Sequence, residues 1–310
     1  MTRWVRQYLS ADEYHAHRVV SSAAAGRSAV QSWEVVELAT YEKALLLDGC
    51  IQSTQRDEAA YHEALHCPAI VARPDARRVL LVGGANGGSL PRLLALPTLE
   101  QIVVVDVDEE LHTISRTSLA HMHGESLADP RITWIFGSPD HLVALLAREE
   151  QQFDLIVADT PDATDQSYST RLFALERIHA IAEVLAPEGL FVTQAGQAHP
   201  FACRLAARIK ATLAQVFPEV VLYSHLVPSF GIPWCFAIAG SQAVAVANAD
   251  PETVDNRIKE LHFEKLSSYD GVTHRHMFAL PRLLRESLAK EGLDVCPITL
   301  SDLETVTVAR

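Results

Sequence analysis

A chain of 310 residues, 48% hydrophobic and 21% charged, can build one large α/β domain plus a smaller one, and its composition excludes a disordered protein. A formal net charge of −13 argues against a nucleic-acid binder, which needs basic patches for phosphate, and is compatible with cationic substrates. No apolar run approaches the ~20 residues of a membrane span, and the charged start (Arg3, Arg6, Asp12, Glu13) leads into no signal-peptide core, so a cytoplasmic location is expected. The five cysteines lack CxxC-type spacing and read as reduced core thiols. His15/His17 and His121/His123 have no carboxylates at ligand spacing, so they read as solvated positions and no metal is expected.

Residues 1 to about 30 are of mixed character, with Ala23 to Ala25 running into Gly26. From Val30 two strand-like runs follow, SWEVVEL and KALLLDGCIQST, with Asp48 and Gly49 supplying turn chemistry. They predict a small antiparallel β domain over 1–55, leaving 56–310 for a Rossmann-like domain with a C-terminal helical extension. DEAAYHEALHCP has helical periodicity that puts Tyr61 and Leu65 on one face, Asp57 and Glu58 in the first turn where the macrodipole favours acids, and Pro68 at its end.

VLLVGGANGG (79–88) then runs from strand-like residues through a glycine turn into an apolar helical pattern with Pro91 in its first turn. About 20 residues on, IVVVDVD ends in Asp106 and Asp108, where an acid would meet a ribose hydroxyl pair, so a nucleoside-binding crossover unit is predicted. Helices near 109–121, 139–148, 171–185 and 200–215 alternate with strands at 131–136, 153–159, 189–194, 219–225 and 234–240, with a turn at Pro187 to Gly189. About seven strands, the last two close together, predict a doubly wound, methyltransferase-type Rossmann sheet. Ligands bind such sheets at the carboxyl ends of the strands, which selects Gly83 to Gly88, Asp106, Gly137, Ser138, Asp159 to Asp162 and Gln194. Residues 250–310 read as helices with a short terminal strand, TVTVA.

The segments LLLDGCIQSTQRDEAAYHE (45–63), GGANGG (83–88), DVDEE (106–110), DTPD (159–162), TQAG (193–196) and YDGVTHRHMFALP (269–281) together resemble the spermidine synthase family of aminopropyltransferases, in family order from about Ser28 to Pro281. The resemblance implies that decarboxylated S-adenosylmethionine donates an aminopropyl group to a diamine or polyamine, releasing methylthioadenosine, in a homodimer or homotetramer assembled partly through the N-terminal β unit. The chemistry is attack of a neutral amine on a carbon beside a sulfonium. The leaving thioether is neutral and needs no general acid, but an alkylammonium with a pKa of ~10 supplies little free amine at pH 7. A carboxylate can hold the cation, accept its proton and align the reacting atoms.

By the resemblance Asp159 is the catalytic acid and Asp162 holds an ammonium of the diamine. Gln31, His62, Gly83, Gly84, Asn86, Gly87, Asp106, Val107, Gly137 and Ser138 match donor-binding positions; Tyr61, Gln194, Phe230 and Trp234 fall on the amine side. Without the resemblance an acid at a strand end could cap the next helix, and a Tyr-His pair on an amphipathic helix would be packing. Asp106 is shorter than the family's usual glutamate at the ribose, and four further positions depart from the family pattern. Asn86 and Gly196 stand where the family has acids, Ser138 followed by Pro139 replaces an aspartate at the adenine, and Phe230 replaces a loop tyrosine. Loss of a charge-assisted hydrogen bond costs about 1.5–3 kcal/mol, so substrate choice could shift. Asn86 would tolerate the carboxylate of intact S-adenosylmethionine, which keeps open an amine N-methyltransferase, and a binding or regulatory homologue without turnover is the third reading.

Overall fold

A computed structural model describes residues 2–10, 12–138, 152–161, 168–263 and 265–301. Its first five strands, β1 (Trp4–Tyr8), β2 (Tyr14–Arg27), β3 (Ser32–Leu38), β4 (Glu42–Leu47) and β5 (Cys50–Thr54), form an antiparallel sheet in sequence order. Asp48 and Gly49 join β4 to β5 with φ of 46° and 82°, the left-handed pair that a two-residue hairpin requires. β2 carries the alanines that sequence left unread. Alanine has little strand preference of its own, and this stretch is extended because it pairs with β3, Ala24 facing Val35 and Ala25 facing Glu34.

The second sheet holds β6 (Arg78–Gly83), β7 (Gln101–Asp106), β8 (Ile132–Phe136), β9 (Phe153–Asp159), β10 (Leu185–Gln197), β11 (Glu219–Leu226) and β12 (Pro233–Gly240). Their order is β11-β12-β10-β9-β6-β7-β8, with β12 antiparallel to both neighbours and the ladders from β10 to β8 parallel. This is the seven-stranded methyltransferase-type arrangement that the alternation of elements predicts. Central strands are apolar on both faces because helices cover both. Val79, Leu81, Val104 and Leu155 pack on one side with α1 (Glu58–Ala72), and Leu80, Val82, Val103 and Ile156 on the other with the helices Leu175–Glu183 and Arg204–Leu213. The chain leaves β6 for β7 on one flank while β9 lies on the other, so the switch point falls at the end of β6.

Several local expectations are corrected. Pro68 does not end α1 but lies inside it. A proline deprives the carbonyl four residues back of its helical donor, and the Tyr223 hydroxyl takes that place, donating to Ala64 O at 3.1 Å. The turn at Pro187 to Gly189 is an irregularity within β10, where the register shifts between Leu185 and Leu190. The helix read over 171–185 is two, Tyr168–Leu172 and Leu175–Glu183, and that over 109–121 is α3 (Glu109–Ser118) followed by a turn, Ala120–His123. His17 and His123 are buried, not solvated: His17 Nε2 lies 2.8 Å from Ser229 O, and His123 Nε2 3.0 Å from Ser115 O. Cys67, Cys203 and Cys235 are buried thiols, whereas Cys50 is half-buried and Cys296 exposed. The helix expected at 139–148 and the strand TVTVA lie outside the described residues. Among the described residues no helix is long and apolar enough to cross a membrane, and no group of three or more His, Cys, Asp or Glu could hold a metal ion.

Candidate active site

The carboxyl ends of β6, β7 and β9 open on a cavity of about 950 Å³, its mouth included, closed on the far side by Val30, Gln31, Leu47 and Gln52 of the N-terminal unit. Asp159 ends β9 and is buried against it. Its Oδ1 accepts the Tyr61 hydroxyl at 3.2 Å, its Oδ2 accepts the Ser89 hydroxyl at 2.5 Å, and His62 Nε2 stands 3.8 Å from Oδ2. Ser89 occupies the N-cap position of the one-turn helix α2 (Leu90–Leu93) yet makes no side-chain cap bond, because its hydroxyl is turned to Asp159. It is the main residue that sequence reasoning missed, and its only signal is its place directly after the glycine run.

Two of the glycines serve this acid directly. Gly83 has a φ of 85° and pairs with Asp159 across the ladder, and a Cβ there would collide with the Asp159 carbonyl. A side chain on Gly88 would overlap the His62 imidazole. The loop's glycines therefore make room for protein as well as for ligand.

Asp106, at the end of β7, is held differently. Its oxygens accept backbone N–H groups, Oδ2 from Ala85 and Oδ1 from Asp108, each at 2.9 Å. Burial nonetheless pushes this carboxyl up to about 6, against the lowering effect of those backbone donors. Asp108 caps α3, its Oδ1 accepting Leu111 N at 3.0 Å, while its Oδ2 accepts the Gln31 amide at 2.9 Å and the Ser28 hydroxyl at 2.8 Å. Gln31 is thereby oriented on the cavity wall. Asn86 Oδ1 accepts Gly88 N at 2.9 Å, and with Gly84 and Val107 it lines the same wall.

Behind His62 lies a half-buried carboxylate, Glu58, that sequence reasoning placed only in a helix's first turn. Glu58 Oε2 is 2.9 Å from His62 Nδ1, and Glu58 Oε1 accepts Arg92 Nη2 at 3.0 Å. Burial pushes the Glu58 carboxyl up, but His62 and Arg92 outweigh it and hold it below its ordinary value. Asp57, next to it, binds three elements together: it accepts the Thr54 hydroxyl at 2.6 Å, Ser229 N at 2.6 Å and the Ser229 hydroxyl at 3.1 Å.

Of the other residues selected from sequence, Tyr61 and Phe230 line the cavity, their rings 6.0 Å apart. Gln194 and Trp234 are buried off it. Gln194 Oε1 accepts Gly196 N at 2.8 Å and Trp234 Nε1 at 3.3 Å. Gly196 has a φ of 79°, a conformation an acidic side chain would strain. Gly137 and Ser138 follow β8 outside the wall, Gly137 N bonding Asp106 O at 2.9 Å and Ser138 exposed, while Gly87 packs beside His123 and Leu127. Asp162 lies outside the described residues. What the cavity offers chemically is a strand-end carboxylate reached by hydroxyl donors, beside a glycine loop and apolar walls of Leu47, Val82, Val105 and Leu111.

Known proteins share this chain's sequence pattern and fold. The family model described as "Spermine/spermidine synthase domain" matches residues 58–250. The polyamine aminopropyltransferase of Synechococcus sp. (strain JA-2-3B'a(2-13)) is 34% identical over 295 residues, covering 93% of each chain. That of Aeropyrum pernix is 32% identical over 289 residues, covering 93% of this chain and 91% of its own. In fold, the chain is similar to spermidine synthase from Thermotoga maritima (TM-score 0.81, 23% identity, 94% of this chain and 96% of that one). It is also similar to a spermidine synthase solved with the transition state analogue AdoDATO (TM-score 0.82, 22% identity, 94% and 97%). With a family match over most of its length and relatives aligned almost end to end, the chain belongs to the spermine/spermidine synthase family and is a transferase of alkyl groups other than methyl.

Proposed function

We propose that the protein transfers an aminopropyl group from decarboxylated S-adenosylmethionine to a diamine or polyamine, with Asp159 orienting and deprotonating the attacking amine. The observation that carries this reading is the carboxylate of Asp159 at the switch point. It accepts hydroxyl donors from Tyr61 and Ser89 and borders the cavity, where a carboxylate can also take an ammonium. The relatives' shared name, polyamine aminopropyltransferase, supports the acceptor class. The fold shared with a spermidine synthase bound to AdoDATO supports the decarboxylated donor.

In this reading the donor's ribose meets Asp106 and its adenosine runs past Gln31, Gly83, Gly84 and Val107, with Asn86 near the propylamine. The amine enters between Tyr61 and Phe230, and Asp162 holds its second ammonium. The amine's lone pair forms the new N–C bond as the C–S bond breaks, and the pair from that bond stays on sulfur as a neutral thioether. The chemistry needs no metal. The N-terminal β domain (1–55) closes the donor end of the catalytic domain (56–310). A homodimer or homotetramer is part of the proposal: β2 runs on past the end of β1, so Val20–Arg27 has β3 as its one strand neighbour among the described residues, an edge a second copy can cover.

Calorimetric titration with decarboxylated and intact S-adenosylmethionine, followed by an assay of methylthioadenosine release with diamines, tests the reading. Tighter binding of the decarboxylated donor, with release that depends on the amine, is expected. Preference for the intact donor together with methyl transfer would overturn it. Asn86→Asp, which keeps the acceptor for Gly88 N and adds a charge, is expected to raise the preference for the decarboxylated donor.

A further inference from the structure

Aminopropyl transfer leaves one proton in the site per turnover, taken from the attacking ammonium before its nitrogen can bond carbon. The molecule contains a route by which that proton can leave. A second cavity, of about 1060 Å³ with its mouth included, is lined by Glu58 and Arg92 together with His121, His262 and Lys265. Glu58 therefore faces that cavity while touching His62, and His62 lines the catalytic cavity.

The hydrogen bonds set the direction of the route. His62 Nδ1 lies 2.9 Å from both Glu58 O and Glu58 Oε2, and both are acceptors, so the ring proton of a neutral His62 sits on Nδ1. Nε2 is then a bare acceptor facing a second acceptor, Asp159 Oδ2, at 3.8 Å. At 3.8 Å the two are about 1 Å beyond a direct hydrogen bond, so a small approach of the ring or one bridging water carries a proton between them. We infer, on the reading of Asp159 given above, that the amine's proton passes from Asp159 to His62 Nε2 as the Nδ1 proton passes to Glu58, from which solvent in the second cavity removes it.

The groups around the route suit this work. Tyr61 and Ser89 donate to Asp159, and Arg92 pairs with Glu58 at 3.0 Å, favouring its return to the carboxylate after each proton has passed. His66, whose ring lies 6.2 Å from that of His62, has its Nδ1 on His62 O, and burial pushes it down to about 3, so it stays neutral and draws no proton aside. His121, on the second cavity, is pushed down to about 4 by burial and by Lys43. The glycine at 88 leaves the space that the His62 ring occupies.

The test uses the full-length protein and two substitutions, Glu58→Gln, which keeps the shape, and Glu58→Ala, which opens a gap to the second cavity. Expected are a fall in kcat of about 10- to 100-fold in both, an unchanged KM and donor affinity, and an enlarged solvent isotope effect. Formate is expected to restore much of the rate to Glu58→Ala, while chloride at the same ionic strength does not. Full-speed turnover in Glu58→Gln would overturn the route, as would a loss that follows donor affinity and resists formate. If the wild-type protein transfers no aminopropyl group, the functional reading fails and this inference with it; an active wild type with an indifferent Glu58 sinks the route alone.

Discussion

Asp106 and Asp159 end the two strands that flank β6, both are buried, and both border one cavity, yet they are held by different kinds of donor. Backbone N–H groups of Ala85 and Asp108 grip Asp106, so its carboxylate is part of what shapes the glycine loop and the start of α3. The side-chain hydroxyls of Tyr61 in α1 and of Ser89 at the N-cap of α2 reach Asp159, and an imidazole stands just beyond contact. Asp106 is thus part of the backbone framework of the site, whereas Asp159 is held by side-chain hydroxyls. Backbone donors cannot be substituted without moving the chain, whereas hydroxyls can be changed one at a time.

The comparison can be broken in four places. Asp159→Asn is expected to lower kcat by about 10²- to 10⁴-fold with donor affinity nearly unchanged, the range for loss of a general base; steady-state kinetics with calorimetry would show it, and a fully active variant would put the base elsewhere. Asp106→Asn is expected to reveal itself in the pH dependence of stability. Its folded-state pKa is raised from 3.8 to about 6, so the native protein binds more protons between those values. The stability this lends is complete at the acid end and is lost as pH rises through about 6, by roughly 3 kcal/mol for a buried group shifted this far. Urea unfolding of wild type and variant from pH 4 to 7 should show the gap between the two curves changing by that order; parallel curves would mean that Asp106 titrates normally.

Smaller effects sharpen the contrast. Ser89→Ala removes one donor from Asp159 and should cost about tenfold in kcat/KM together with about 1–2 kcal/mol of stability, since the bond it removes is buried. Tyr223→Phe touches neither acid and should affect stability alone. It leaves Ala64 O without its hydroxyl donor, lowering stability by about 1 kcal/mol in urea with kcat unchanged.

The strand-turn-helix around Gly83 and the acid at Asp159 could be read from sequence because their signals are local: an apolar run, a glycine cluster, a charge at a strand end. Elements whose cause lies far along the chain could not. The first strands depend on β3, which is what extends the alanines of β2. Pro68 reads locally as a helix end, and the Tyr223 hydroxyl that takes the place of the missing bond lies far along the chain. In the site, Gln194 accepts the indole of Trp234, 40 positions away, a pairing that no local pattern shows. Ser89 resembles an ordinary helix cap, and only the fold shows where its hydroxyl points.

Asp57 links the end of β5, the start of α1 and the Pro228–Phe230 turn through its two carboxylate oxygens. The wall that carries Phe230 is thus pinned to the helix that carries Tyr61 and His62, a frame held from Asp57 and independent of the side chain at position 230. If the amine enters past Phe230, as proposed, substitutions at position 230 are expected to change which amine is accepted without moving that frame.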